Sequence, residues 1–223
     1  MKSLLNIFIF TICSFTFAQQ IEFGAYFGYG YNNIVDARIK EGRAVIGDAL
    51  WDLSKGGIIT YYFKTPDQNH LRGRLSVLYK NEDKGSRSET FKEAKYQFNS
   101  NMFGLLFGAG REIGNGFLLY TDVGVGYTMF DTENIYKGNV HELDAFLLMD
   151  DYFEIKDHEI NFLFDLGLEK IVLKDRLKLF FEMNTNPAIA RFNKSEGKYR
   201  NQGIGFSLGA KYVINLKKDD TFE

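Results

Sequence analysis

The sequence predicts an all-β chain closed into an antiparallel up-and-down barrel of about eight strands, with ten as the alternative count. The 223 residues include 22 Gly, 22 Phe and 13 Tyr but only 2 Pro and 1 Trp, a balance that suits aromatic-rich strands and would be costly in helices. Apolar and polar residues alternate with period two along several segments. Short and long connections also take turns along the chain, which gathers the long ones at one end of a barrel.

The first strand sets Ile21, Phe23, Ala25, Phe27, Tyr29 and Tyr31 against Glu22, Gly24, Gly28 and Gly30. A shorter strand is expected around 57–63. Leu71, Leu75, Val77 and Tyr79 then oppose Arg72, Arg74, Ser76 and Lys80, and Phe103, Leu105, Phe107 and Ala109 oppose Gly104, Gly108 and Gly110. Phe117, Leu119, Thr121, Val123, Val125, Tyr127 and Met129 oppose Tyr120, Asp122, Gly124, Gly126 and Thr128. Ile160, Phe162, Phe164, Leu166 and Leu168 oppose Asn161, Asp165, Gly167 and Glu169, and a shorter strand covers 177–184. The last strand is the clearest, with Ile204, Phe206, Leu208, Ala210, Tyr212, Ile214 and Leu216 against Gly203, Gly205, Ser207, Gly209, Lys211, Val213 and Asn215.

Tight turns are expected at Thr65-Pro66-Asp67, Gly114-Asn115-Gly116 and Lys174-Asp175. The middle one holds the Asn-Gly pair that favours a primed hairpin turn. Polar, irregular stretches at 32–56, 81–95, 131–158 and 187–202 read as the long loops.

Before the first strand, Met1 and Lys2 give a positive start, an apolar run follows, and Thr16 and Ala18 put small residues where a signal peptidase reads. Residues 1–18 are therefore expected to be a signal peptide and residues 19–223 the barrel domain. The run is too short and interrupted for a spanning helix of ~20 residues. Cys13 is the single cysteine and lies inside it, so neither a disulfide nor a cysteine metal site is expected in the mature chain. The formal charge of -2 drops by one more when Lys2 leaves, so there is no basic excess for a nucleic acid partner.

Period two does not say which face points inward. A soluble lipocalin-like barrel would put the apolar face inside around a ligand, and a membrane barrel turns it outward to lipid. The loop asymmetry favours the membrane. So do the glycines sharing the polar face with long charged residues, since a narrow lumen needs small side chains beside large ones. Tyr29, Tyr31, Tyr61, Tyr62, Phe63, Tyr120, Tyr127, Phe130, Phe180, Phe181 and Tyr212 also suit aromatic girdles at lipid–water boundaries. The expected fold is thus a transmembrane barrel with short periplasmic turns and long extracellular loops.

The segment Phe17-Ala18-Gln19-Gln20, the first strand Gly24-Ala25-Tyr26-Phe27-Gly28-Tyr29-Gly30-Tyr31 and the closing strand from Gly205 to Leu216 resemble the small outer-membrane β-barrel proteins of Gram-negative bacteria. These are the OmpA-like and OmpX-like group, and particularly the barrels common in Bacteroidota. The resemblance spans nearly the whole mature chain and implies a location and a fold, with no reaction attached. Such barrels usually end on an aromatic residue, whereas this chain continues past Leu216 to Glu223.

Glu22, Arg72, Arg74, Lys80, Asp122, Asp165, Glu169, Glu182 and Lys211 fall on the polar face, so both signs of charge would meet in one lumen. Pairing that holds the barrel closed is the plain reading, because buried charges must be paired; a narrow pore is the sharper one. His141 and His158, with Asp157, Asp150 and Asp151 nearby, could suggest an omptin-like protease. Adjacent residues on an extended segment point apart, however, and those enzymes are larger barrels. No catalytic residues, cofactor or metal are expected, since the glycines alternate within strands and precede no helix. Phe146, Leu147, Leu148, Met149, Tyr152 and Phe153 make an apolar patch in the third loop, either folded over the barrel mouth or docking an envelope protein. Trp51 in the first loop admits the same two readings.

The expected function is a noncatalytic, monomeric outer-membrane barrel, structural or interacting through its external loops, with outer-membrane lipid and other envelope proteins as partners. The alternatives are an exported soluble lipocalin-like barrel that binds a small apolar ligand, and a secretion-system accessory barrel or narrow pore.

Overall fold

The structure, a computed structural model, describes residues 20–36, 48–64, 71–87, 95–131, 136–137, 157–173, 176–189 and 199–216. Eight long strands form the wall: β1 (Gln20–Asp36), β2 (Asp48–Lys64), β3 (Leu71–Arg87), β4 (Lys95–Gly114), β5 (Phe117–Phe130), β7 (His158–Leu173), β8 (Leu177–Thr185) and β9 (Tyr199–Asn215). A two-residue strand, β6 (Tyr136–Lys137), extends the free edge of β4 at Tyr96 and Gln97. Neighbours in the chain pair antiparallel, β1 pairs with both β2 and β9, and β3 pairs with β4, so the sheet closes on itself. Closure leaves no long edge of unpaired backbone groups.

The alternation read from the sequence sorts side chains to the two sides of this wall. Phe27, Leu53 and Leu208 are the most exposed of the large apolar residues, at 74%, 70% and 64%. They belong to an outer belt with Phe23, Val77, Leu105, Val125, Phe162, Phe181 and Ile214. The opposite parity points inward and is polar: Glu22, Thr60, Arg74, Ser76, Ser100, Thr128, Asn161 and Lys211 are completely buried. The barrel is therefore apolar outside and ionic inside, the reverse of a lipocalin-like barrel.

Several sequence expectations need correction. Strands run well into stretches expected to be loops, reaching Asp36, starting at Asp48, reaching Arg87 and restarting at Tyr199. The backbone ladder continues there although hydropathy no longer alternates, because both faces turn polar: Asn81 and Asp83 face outward while Glu82 and Lys84 are buried. Trp51 consequently lies on β2, outside, stacked on Tyr29 at 5.3 Å between ring centres. Four of the aromatics expected in the girdles, Tyr62, Tyr120, Phe130 and Phe180, are instead buried inside. They occupy the inward parity, and Tyr61 and Tyr62 could never share a face.

Small residues opposite these rings make room for them. A Cβ built on Gly167 would collide with the Tyr120 ring, and one on Gly209 would lie 2.5 Å from the Phe180 ring. At the hairpin joining β4 to β5, Asn115 and Gly116 both take positive φ, 51° and 72°, as a type I′ turn requires. The other two expected turns, the apolar patch Phe146 to Phe153, His141 and the signal segment lie outside the described residues.

Candidate functional site

Among the described residues the lumen is where the fold gathers charged side chains, and it has three tiers. Toward the end holding the β4–β5 hairpin, Glu169 is the hub. Its Oε1 lies 2.5 Å from Lys211 Nζ and 3.3 Å from Arg74 Nη1, while its Oε2 accepts from Tyr62 OH at 2.9 Å and Lys178 Nζ at 3.3 Å. Arg74 reaches on to Asp122 at 3.1 Å, and its guanidinium carbon sits 3.5 Å above the Tyr120 ring centre. Lys178 also bridges to Glu22, which accepts from Gln20 at 2.5 Å. Residues from β1, β3, β5, β7, β8 and β9 thus meet in one cluster.

Across the middle lies an apolar layer of Tyr26, Ile58, Leu78, Met102, Leu106, Leu163 and Phe180, all at most 9% exposed. Beyond it comes a second ionic tier. Lys80 pairs with Glu82 at 2.7 Å and Lys84 with Glu159 at 2.9 Å. Asn186 donates to Glu82, and Asn161 and Asn201 donate to Glu159, all at 2.9 Å. Burying unpaired charge is expensive, whereas saturated pairs of this kind are tolerated.

The nine charged residues singled out in the sequence all project to the inner side, but they are not equivalent. Arg72 sits at the rim, 42% exposed in its side chain, bridged to Glu112. Arg74, Asp122, Glu169, Glu22 and Lys211 form the hub tier, and Lys80 belongs to the second. Asp165 and Glu182 have no ion pair among the described residues; Glu182 accepts from Tyr120 OH at 2.7 Å. Sequence reasoning missed Lys178, although it shares the parity of Glu182 on β8. It also missed Glu82 and Lys84, placed in a loop, Glu159, left between the third loop and the next strand, and the inward tyrosines Tyr26 and Tyr62; Tyr120 stood on the polar face of its strand but was also expected in a girdle. Extending the β3 alternation past Lys80 would have found Glu82 and Lys84.

His158 and Asp157 do touch, at 2.7 Å between Nδ1 and Oδ1, because Asp157 lies in a bend just before β7. Both are exposed on the outer side, and the imidazole stacks on Tyr127 at 5.5 Å. No group of three or more His, Cys, Asp or Glu among the described residues is arranged to hold a metal.

No family model and no curated protein matches the chain. Solved structures do match at low identity, among them several outer-membrane proteins. Surface protein A of Neisseria is 10% identical over 86% of this chain and 96% of its own, with a TM-score of 0.49. The outer membrane protein OprG of Pseudomonas aeruginosa is 13% identical over 89% of this chain and 97% of its own, TM-score 0.48. The outer membrane protease OmpT of Escherichia coli is 9% identical over 88% of this chain and 97% of its own, TM-score 0.42. A surface protein and a protease at the same level of likeness leave activity to be read from this chain's own residues.

Proposed function

We propose that the chain is a noncatalytic outer-membrane barrel, exported by its signal segment, inserted as a monomer in lipid and acting through its external loops. The single observation that carries this is the sidedness: a continuous apolar belt outside and buried ion clusters inside. Exposed apolar surface on that scale needs a covering, and a closed barrel is the β-architecture that satisfies every backbone group in hydrocarbon. The apolar layer between the ionic tiers argues for a plugged lumen over a pore. Phe146, Leu147, Leu148, Met149, Tyr152 and Phe153 are the candidate docking patch for another envelope protein.

Fractionation of expressing cells, followed by electrophoresis of unboiled and boiled samples, tests the reading. A heat-shifted band in the outer-membrane fraction supports it, and a soluble protein without a shift overturns it. Replacing Leu147 and Phe153 with Ser then tests the patch: unchanged copurifying envelope proteins would remove it from the proposal.

A further inference from the structure

Asn115-Gly116, at the β4–β5 hairpin, is the single Asn-Gly pair in the chain, and both residues are exposed. Such a pair can react with itself, because glycine carries no Cβ to shield its nitrogen from the preceding side chain. The Gly116 amide gives its proton to a solvent base, and its nitrogen bonds to Asn115 Cγ. The side-chain nitrogen takes a proton from water and leaves as ammonia, which closes a succinimide ring. Water then opens the ring at either carbonyl. Breaking the bond between the Gly116 nitrogen and Cγ leaves aspartate. Breaking the bond between that nitrogen and the backbone carbonyl carbon leaves isoaspartate, whose main chain runs through Cβ and Cγ. Overall, one water is taken up and one ammonia is released.

The folded turn opposes the ring closure. Positive φ at both residues, 51° and 72°, marks a type I′ turn, in which the first residue has a ψ of about +30°. That angle sets the Gly116 nitrogen nearly anti to the Asn115 Cβ, whereas the ring needs the two nearly eclipsed. The peptide plane between the residues must therefore swing through well over a right angle. Its carbonyl is gripped from β7: Lys170 Nζ donates to the Asn115 oxygen while lying 3.9 Å from the Phe117 ring centre. Ile171 N–H donates to the next carbonyl, that of Gly116, at 3.0 Å. We infer that Asn115 is a deamidation site held shut by the folded hairpin, with Lys170 as the side chain that keeps it shut. Isoaspartate adds a main-chain carbon to a two-residue turn whose type fixes the strand register, here Gly114↔Phe117. A chain that reacts this way before folding is therefore barred from closing β4 onto β5. Under the outer-membrane reading, on which this consequence rests, the exported chain passes through an unfolded interval in which the pair is open to reaction.

The test incubates the full mature chain at mildly alkaline pH, either unfolded in urea or folded in detergent micelles. Mass spectrometry of the peptide carrying residue 115 follows deamidation, and an isoaspartyl methyltransferase labels the isoaspartate. Asn115 should be lost in urea and be at least about tenfold slower in micelles, since reaction must wait for local opening. Lys170→Met, with its heat shift intact, should speed the reaction in micelles and leave the rate in urea unchanged. Chains aged in urea and then moved to micelles should carry their isoaspartate in the band that does not shift on heating, while Asn115→Asp should shift like the parent. Equal rates in urea and micelles overturn the inference, as does an Asn115 that stays intact in urea. An unchanged rate for folded Lys170→Met overturns the role of Lys170, and isoaspartate in the heat-shifted band overturns the barred closure. The deamidation rates read the hairpin, and the heat shift with fractionation reads the membrane barrel, so failure of one is distinguishable from failure of the other.

Discussion

Lys211 on β9 and Glu169 on β7 meet at 2.5 Å across the lumen although β8 lies between their strands. The contact ties the strand that closes the barrel to the far side of the hub. Glu169→Gln should leave Lys211, Arg74 and Lys178 sharing fewer negative oxygens in a buried site. A loss of about 3–5 kcal/mol is expected, measured as urea unfolding in micelles. The double variant with Lys211→Met should recover part of it.

Gly167 faces the Tyr120 ring, and an added methyl would collide with it. Gly167→Ala is expected to destabilise by about 1–3 kcal/mol through overpacking. Reducing the ring with Tyr120→Leu in the same chain should relieve most of that, read from the heat-shift midpoints of the single and double variants.

Val125 stands on the outer belt, 54% exposed. If lipid covers it, Val125→Arg should cost about 2–4 kcal/mol for folding into vesicles. In a barrel surrounded by water the same change would be nearly neutral, so folding equilibria in vesicles separate the two surroundings.

Trp51 is the single tryptophan and stacks outside on Tyr29. Its place near the loop end of the belt predicts stronger fluorescence quenching by lipids carrying a quencher near the headgroup than by lipids carrying it deep in the chain. Equal or reversed quenching would contradict this placement.

The layer of Leu78, Met102, Leu106 and Leu163 crosses the lumen. Planar-bilayer recordings are expected to show no steady conductance for the parent chain. Open events at modest voltage would mean that this layer does not seal the barrel.

The fold was legible because the two faces of every strand are chemically opposed within the belt: Phe206, Leu208 and Ala210 against Gly205, Ser207 and Gly209 need no tertiary knowledge. Legibility failed where that opposition ends. Above the belt, Asn81, Glu82, Asp83 and Lys84 are polar on both sides, so hydropathy is silent while the backbone keeps pairing. Inside, Leu78, Leu106 and Leu163 break the polar parity because they pack against one another across the barrel, a contact between distant strands that period two cannot announce. The charged residues could be assigned to the lumen from parity alone. Which acid meets which base depends on the stagger between strands, and Lys178 joining Glu22 and Glu169 has no local signal.

Strand β9 alternates strictly, and it pairs with β1 over seventeen consecutive positions from Gln20↔Asn215 to Asp36↔Tyr199. A slip of one residue during closure would present Lys211 to the surroundings and Tyr212 to the interior. A slip of two keeps the faces but carries Lys211 away from Glu169 and Glu22. The apolar exterior therefore rejects odd misalignments, and the ion hub rejects even ones. Two unrelated interactions together leave the chain a single way to shut.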